Sequence, residues 1–237
     1  MDVVLLPGLG CDAGQFRHQA AALAPAHRVL ALDLPGHAGT PALPGRAGLD
    51  AVVVDVARRL DALGVRAGAL VGHSTGGVVA LLLARTRPDL AGRLVLVDAN
   101  VPVTPDALAA KRSRVAAVER PDWQNVLVEA MTSAWGPREP ARREAVVAGI
   151  AATPEAAVRT LWRDVLDLDP RPALAAVAVP ALYVRSSRDV DAAALWRVNP
   201  RFASLDLRAL RAGHWPHLVE PAAVTAALTG FLADGPG

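Results

Sequence analysis

The sequence predicts an α/β fold: a mostly parallel sheet of about six strands, flanked by helices and carrying a helical cap insertion. Three observations predict it. Short apolar runs alternate with longer amphipathic segments, a Gly-x-Ser-x-Gly turn follows one of those runs, and a long strand-free stretch interrupts the alternation once. Strands buried on both faces read as continuous apolar runs, and parallel neighbours need helical crossovers between them.

In chain order the runs are Val3 to Leu6, Arg28 to Leu32, Ala67 to Val71, Arg93 to Val97, Ala181 to Arg185 and Leu205 to Leu210. Between the second and third, Leu49, Val52, Val53, Val56, Leu60 and Leu63 recur at helical spacing, which places an amphipathic helix there. Val78 through Arg87 reads as a second helix that stops before Pro88, and Leu218 to Leu232 as the closing one. From about Val101 to Ala178 no strand is convincing, while helical stretches, prolines and three tryptophans (Trp123, Trp135, Trp162) recur. This divides the chain into a core of 1–100 and 179–237 and a helical cap insertion of 101–178, folded over the sheet's C-terminal edge.

Composition narrows the function. At 237 residues one sizeable domain can bury a full core without disulfides or metals. A hydrophobic fraction of 52% with 20% charged residues argues against disorder, and no apolar run approaches the ~18 residues of a membrane span. Met1 to Gly8 has no basic n-region and breaks after a few apolar residues, so it reads as a first strand and the expected location is cytoplasmic. A single cysteine, Cys11, excludes an intrachain disulfide and a multi-cysteine metal site. The net charge of +2 comes from scattered arginines with no basic run, which argues against nucleic-acid binding.

The chemistry centres on Gly72-His73-Ser74-Thr75-Gly76. A turn from a strand straight into a helix strains the backbone at its apex and needs small neighbours, supplied by Gly72, Gly76 and Gly77. A serine hydroxyl is a poor nucleophile at neutral pH, so a base must lie within hydrogen-bond reach and an acid must orient that base. Of six histidines, His214 alone lies late in the chain, beside a glycine and just after a predicted strand. The acid belongs just past an earlier strand, and Asp189, in the polar turn after Ala181 to Arg185, meets that condition with the chain order Ser74, Asp189, His214.

Along almost its whole length the chain resembles the α/β-hydrolase family. Leu6-Pro7-Gly8-Leu9-Gly10 is similar to the family's oxyanion loop, and Asp33-Leu34-Pro35-Gly36-His37-Ala38-Gly39 to its D-x-P-G-H-G-x-S turn. Gly213 to Pro221 resembles the segment bearing its catalytic histidine. The resemblance implies that His214 takes the Ser74 proton as Ser74 attacks an ester carbonyl, and that Asp189 holds the imidazole. The backbone amides of Leu9 and Thr75 would receive the oxyanion, and neither cofactor nor metal is needed.

The sequence departs from the family pattern in three places. Pro7 stands where histidine is usual, which leaves the Leu9 amide usable because that role needs no side chain. The first run resembles the family's third strand, so a six-stranded sheet is expected with Arg28 to Leu32 on an edge. Ser186 occupies a position often held by glycine, and Asp98, after the strand Arg93 to Val97, and Asp191 are rival acids.

Among the remaining residues, His73 reads as packing, Asp33 and His37 as loop scaffolding, and His217 as a helix-start residue that could instead line the entrance. Cys11 either borders the acyl pocket or is a small buried hydrophobe, and Trp215 with the cap tryptophans offers a pocket wall. The expected substrate is a small hydrophobic ester, lactone or thioester. Serine at the elbow argues against relatives that form an alkyl ester on aspartate. The same triad also serves carbon-carbon cleavage, and a hydrophobic-ligand binding protein with little turnover is the alternative outside enzymes. Oligomeric state is not legible.

Overall fold

The computed structural model describes residues 1–233 except 46, 134, 136 and 137. Strands β1 (Asp2–Leu6), β2 (Arg28–Ala31), β3 (Gly68–His73), β4 (Ala91–Val97), β5 (Ala181–Arg185) and β6 (Phe202–Asp206) form one parallel sheet in the order β2-β1-β3-β4-β5-β6. The β2 run lies on an edge, where its residues are only half-buried or exposed. The sixth strand starts three residues earlier than the apolar run suggested. Its register is set by its partner: Phe202 pairs Ala181 and Asp206 pairs Arg185, and the Leu207 amide donates to the last free carbonyl of β5, so Arg208–Leu210 turns away as a short 3₁₀ segment.

Side chains alternate across the sheet as the pleat requires. On one face Val4, Leu6, Leu70, Leu94 and Leu96 pack with the helices α2 (Leu49–Ala62) and α3 (Thr75–Thr86). On the other, Val3, Leu5, Ala69, Val71, Val95, Val97, Leu182 and Val184 pack with Phe16 and with Leu23 of α1 (Arg17–Leu23), and with Val224, Leu228 and Leu232 of the C-terminal helix (Pro221–Ala233). That last helix is separate from a short turn, Pro216–Val219, because Pro221 at its first position has no N–H to continue the preceding one.

Between β4 and β5 the chain forms α4 (Pro105–Arg112), α5 (Val115–Val118), α6 (Trp123–Thr132), α7 (Pro140–Ala152), α8 (Glu155–Asp167) and α9 (Arg171–Ala176). α8 packs on α2 and α3, and α9 on α3, flanking the sheet. α7 instead seats on the loop after β1. A Cβ on Gly10 would lie 2.5 Å from Ile150 Cγ1, and one on Gly149 2.5 Å from the Gly10 carbonyl, so the close approach depends on both glycines.

Candidate active site

Ser74 follows β3 directly and has φ 52° and ψ −118°, a conformation that L-residues rarely hold. The contacts around it leave no alternative. A Cβ on Gly76 would lie 2.3 Å from the Leu6 carbonyl oxygen and 2.4 Å from that of Pro7, and one on Gly72 2.2 Å from the carbonyl oxygen of Gly76. The helix therefore starts jammed against the loop after β1, and the Ser74 amide is anchored to the Val97 carbonyl at 3.0 Å.

His214 reaches this corner from the loop after β6. Its Nε2 lies 2.9 Å from Ser74 Oγ and its Nδ1 2.8 Å from Asp98 Oδ2. A carboxylate can only accept, so Nδ1–H donates to Asp98 and Nε2 is left to accept the serine proton. The histidine backbone is held as well: His73 Nε2 donates to the His214 carbonyl at 2.7 Å, and Ser186 Oγ donates to the Gly213 carbonyl at 2.6 Å. All three side chains of the chain are buried, with Ser74 3%, His214 4% and Asp98 0% exposed.

The carboxylate that meets His214 in this geometry is Asp98, not the expected Asp189. The register explains it. His73 pairs Val97 across the sheet, so Ser74 and Asp98 each lie one step past the end of adjacent strands. Asp98 is at φ 44°, and its carboxylate fills a nest at the end of β5. Oδ1 accepts the amides of Ser186 (2.8 Å), Ser187 (2.8 Å) and Arg188 (3.0 Å), while Oδ2 accepts Ser187 Oγ at 2.6 Å besides His214. That turn carries the chain off the sheet edge before Asp189, whose side chain is 94% exposed and pairs with Arg185. Asp191 is likewise committed elsewhere, capping the helix Ala192–Val198 through the Ala194 amide.

Burial raises the Asp98 carboxyl, but the hydrogen bond and charge of His214, with the turn amides, outweigh it and hold it down at about 2. Burial and the Arg188 charge push His214 below its usual value against the pull of Asp98, leaving the imidazole neutral and basic at neutral pH. His73 is driven well below its usual value by burial and by its histidine neighbours, and His217 down to about 3 mainly by burial, so neither carries charge.

Two backbone amides lie at this corner, those of Thr75 and Leu9. Thr75 opens α3, where a helical N–H has no intrahelical acceptor. The Leu9 amide follows Gly8, whose added Cβ would touch Ser74 Cβ at 3.3 Å. Among the described residues neither amide donates to a protein acceptor. No group of three or more potential metal ligands occurs among the described residues.

Beside the site, not on the serine itself, opens a cavity of about 590 Å³ lined by Gly10, Cys11, Val146, Gly149 and Leu218, with Arg17 and Arg142 at its polar side. Cys11 thus borders a cavity, although its thiol is buried, donates to the Leu9 carbonyl at 3.2 Å and is pushed far up by burial. Trp215 does not line it: the indole is fully buried against His73, His214 and Trp135, and its Nε1–H donates to the Met131 carbonyl of α6 at 2.7 Å. A buried indole N–H needs an acceptor, and the one available draws it into the interface with α6. His217 is fully buried against Phe16 instead of lining an entrance. Asp33 accepts the Ala13 amide at 2.6 Å and His37 Nδ1 donates to the Pro35 carbonyl, so both hold their turn. Sequence reasoning noted Ser186 only as a departure from glycine and did not single out Ser187, for which the polar turn after β5 was the signal, or Tyr183 of β5, whose hydroxyl donates to the Ala99 carbonyl at 2.9 Å.

A serine, a histidine and a carboxylate are thus hydrogen-bonded in sequence at a strand-helix corner of an α/β sheet. A profile of the Alpha/beta hydrolase family matches residues 3–228, and the chain belongs to that family. It is 38% identical over 98 residues to a putative carbamate hydrolase of Stutzerimonas stutzeri, covering 41% of this chain and 37% of that protein. It is 38% identical over 124 residues to an sn-1-specific diacylglycerol lipase of Mus musculus, covering 51% and 40%. The matched stretches thus span well under two thirds of these curated relatives. Over nearly its full length the fold resembles that of a hydrolase from Pseudomonas aeruginosa, with TM-score 0.79, 27% identity and coverage of 98% and 89%. An enol-lactonase from Burkholderia xenovorans shares the fold alone at TM-score 0.79 and 23% identity, covering 98% and 91%. No helix among the described residues is long and apolar enough to cross a membrane.

Proposed function

We propose that the protein is a serine hydrolase that cleaves a carboxylic ester or lactone of a small, largely apolar molecule through an acyl-enzyme on Ser74. The observation that carries this reading is the unbroken hydrogen-bonded chain Ser74–His214–Asp98. His214 takes the Ser74 proton as Oγ bonds to the acyl carbon, and Asp98 holds the donor tautomer and stabilises the imidazolium. The carbonyl oxygen becomes an oxyanion facing the amides of Leu9 and Thr75. As that tetrahedral species collapses, the proton passes from His214 to the leaving alkoxide. Water, deprotonated by the same imidazole, then releases the acid and restores Ser74.

The apolar wall of the neighbouring cavity, with Val146 and Leu218, suits a hydrophobic portion of such a substrate. The direct test is intact-mass labelling with a fluorophosphonate, which needs no knowledge of the substrate. One adduct on the unmodified protein that vanishes in Ser74→Ala supports an activated serine. An unlabelled, folded wild-type protein refutes it and favours ligand binding without turnover.

A further inference from the structure

Gln15 is a buried amide in the wall of the cavity beside Ser74. Its side chain is 7% exposed, yet its Oε1 meets no hydrogen-bond donor, and a buried carbonyl oxygen left unsatisfied carries its full desolvation penalty. The amide lies beside the Cys11 thiol, a weak donor that is already given to the Leu9 carbonyl. Gln19, one turn further on, shows how a structural glutamine is held in this region: its Nε2 donates to the carbonyls of His217 at 3.1 Å and Pro221 at 3.4 Å, which ties α1 to the C-terminal helix. No main-chain group among the described residues ties the Gln15 oxygen in that way.

Gln15 belongs to the 3₁₀ turn Ala13–Phe16, and the next residue, Phe16, is fully buried and stacked on His217 at 4.8 Å between ring centroids, which anchors the turn. The amide is thereby held against the cavity of about 590 Å³, which lies between the loops after β1 and β2 on one side and α7 on the other. This cavity begins at Gly10, next to Leu9, whose amide would receive the oxyanion, and in the same loop a Cβ on Gly8 would lie 3.3 Å from Ser74 Cβ. Other polar side chains of the lining are committed elsewhere. Thr40 Oγ1 donates to the Leu34 carbonyl at 2.7 Å and Thr153 Oγ1 to the Gly149 carbonyl at 2.8 Å, while Arg142 pairs with Glu139 and donates to the Leu218 carbonyl. Of the buried polar side-chain atoms that lack a partner among the described residues, only Gln15 Oε1 belongs to a residue of this lining.

An amide that no strong partner fixes can turn either its oxygen or its NH₂ to the cavity by a half-turn about its last torsion, which is broad and roughly two-fold. The ligand group that suits it in both orientations must donate and accept, as a hydroxyl does; an ether, a ketone or a carboxylate can only accept. We propose that this cavity holds the part of the substrate remote from the scissile bond and that Gln15 recognises a hydroxyl group there, so that the preferred ester or lactone is a hydroxylated one. Val146 and Leu218 take the apolar stem that joins the two ends. This rests on the serine-hydrolase reading and narrows its substrate class.

The test compares kcat/KM, read as acid release at constant pH, for two pairs that exchange a hydroxyl for a methyl and leave the reacting carbonyl alone: 4-hydroxybutyl acetate against pentyl acetate, and methyl 6-hydroxyhexanoate against methyl heptanoate. The first pair carries the hydroxyl on the alcohol side and the second on the acyl side, so both orientations of the substrate are covered. In the wild type at least one pair should favour the hydroxyl by about tenfold or more, because a site built to bond a hydroxyl rejects the analogue that lacks it. That ratio should fall to one or below in Gln15→Met, which keeps the length of the side chain without its polar ends, and in Gln15→Asn, which withdraws the amide by one methylene. Taking a ratio cancels any general loss of activity, so a merely structural glutamine would lower both members of a pair alike and leave the ratio unmoved. Wild-type ratios of one or below for both pairs, or a ratio unchanged in either folded variant, overturn the proposal. If no ester is turned over, the hydrolase reading fails separately, and NMR then decides the subsite: 1,6-hexanediol should shift the pair of side-chain amide resonances that Gln15→Met removes, and resonances that stay in place overturn it.

Discussion

Replacing Asp98 with asparagine separates the two candidate acids, and the geometry sets the size of the effect. The amide oxygen of an asparagine would stay where Oδ1 accepts three backbone N–H groups, because no other arrangement satisfies them. Its NH₂ would then face His214 Nδ1, which now sees a donor where it had an acceptor. The imidazole must switch tautomer, carry its proton on Nε2 and lose the ability to accept from Ser74. A triad with its base in the wrong tautomer loses about 10,000-fold in kcat, or roughly 5 kcal/mol of barrier at about 1.36 kcal/mol per tenfold. Asp189→Asn removes only an exposed ion pair with Arg185, so kcat should stay within about twofold and stability within the ~1 kcal/mol ascribed to surface pairs. Release of 4-nitrophenolate from a 4-nitrophenyl ester, with circular dichroism and thermal melting to establish folding, reads both variants. Asp98→Asn within tenfold of wild type, or Asp189→Asn down more than a hundredfold, would refute the assignment.

Two further outcomes follow from the same corner. Gly76→Ala puts a methyl 2.3 Å from one backbone carbonyl oxygen and 2.4 Å from the next, neither of which can yield as a flexible side chain would, so stability should fall by about 3 kcal/mol or more in a chemical denaturation series; an unchanged midpoint argues against the tight seat of α3. His214 must be neutral to act as base, and burial with the Arg188 charge lowers its pKa, so the acid limb of kcat/KM for a neutral ester should have its midpoint below pH 6.5; a midpoint above that value contradicts the balance of charges drawn around the imidazole.

Much of this was legible in the sequence for reasons that are local. Strands buried on both faces show as apolar runs, and β5 fell on Ala181–Arg185 as read. The strained serine corner announces itself through Gly72, Gly76 and Gly77, because only glycine fits where backbones meet. His214 was found by its place after the last strand. The end of β6 was misjudged because a run of leucines does not record where the partner strand stops.

The acid shows where local reading ends. Asp98 and Asp189 each follow a strand, and nothing within either segment ranks them. The choice is made by strand order and register, which set Asp98 beside Ser74, and by three amides of a turn ninety residues away that hold its carboxylate toward His214. The same applies to Trp215, drawn to a carbonyl on α6. The sequence by itself determined the sheet, the strained serine corner and the histidine that follows the last strand, since periodicity and backbone sterics act over a few residues. Only the tertiary structure decided which carboxylate meets that histidine, because hydrogen bonds and burial join residues that the sequence keeps far apart.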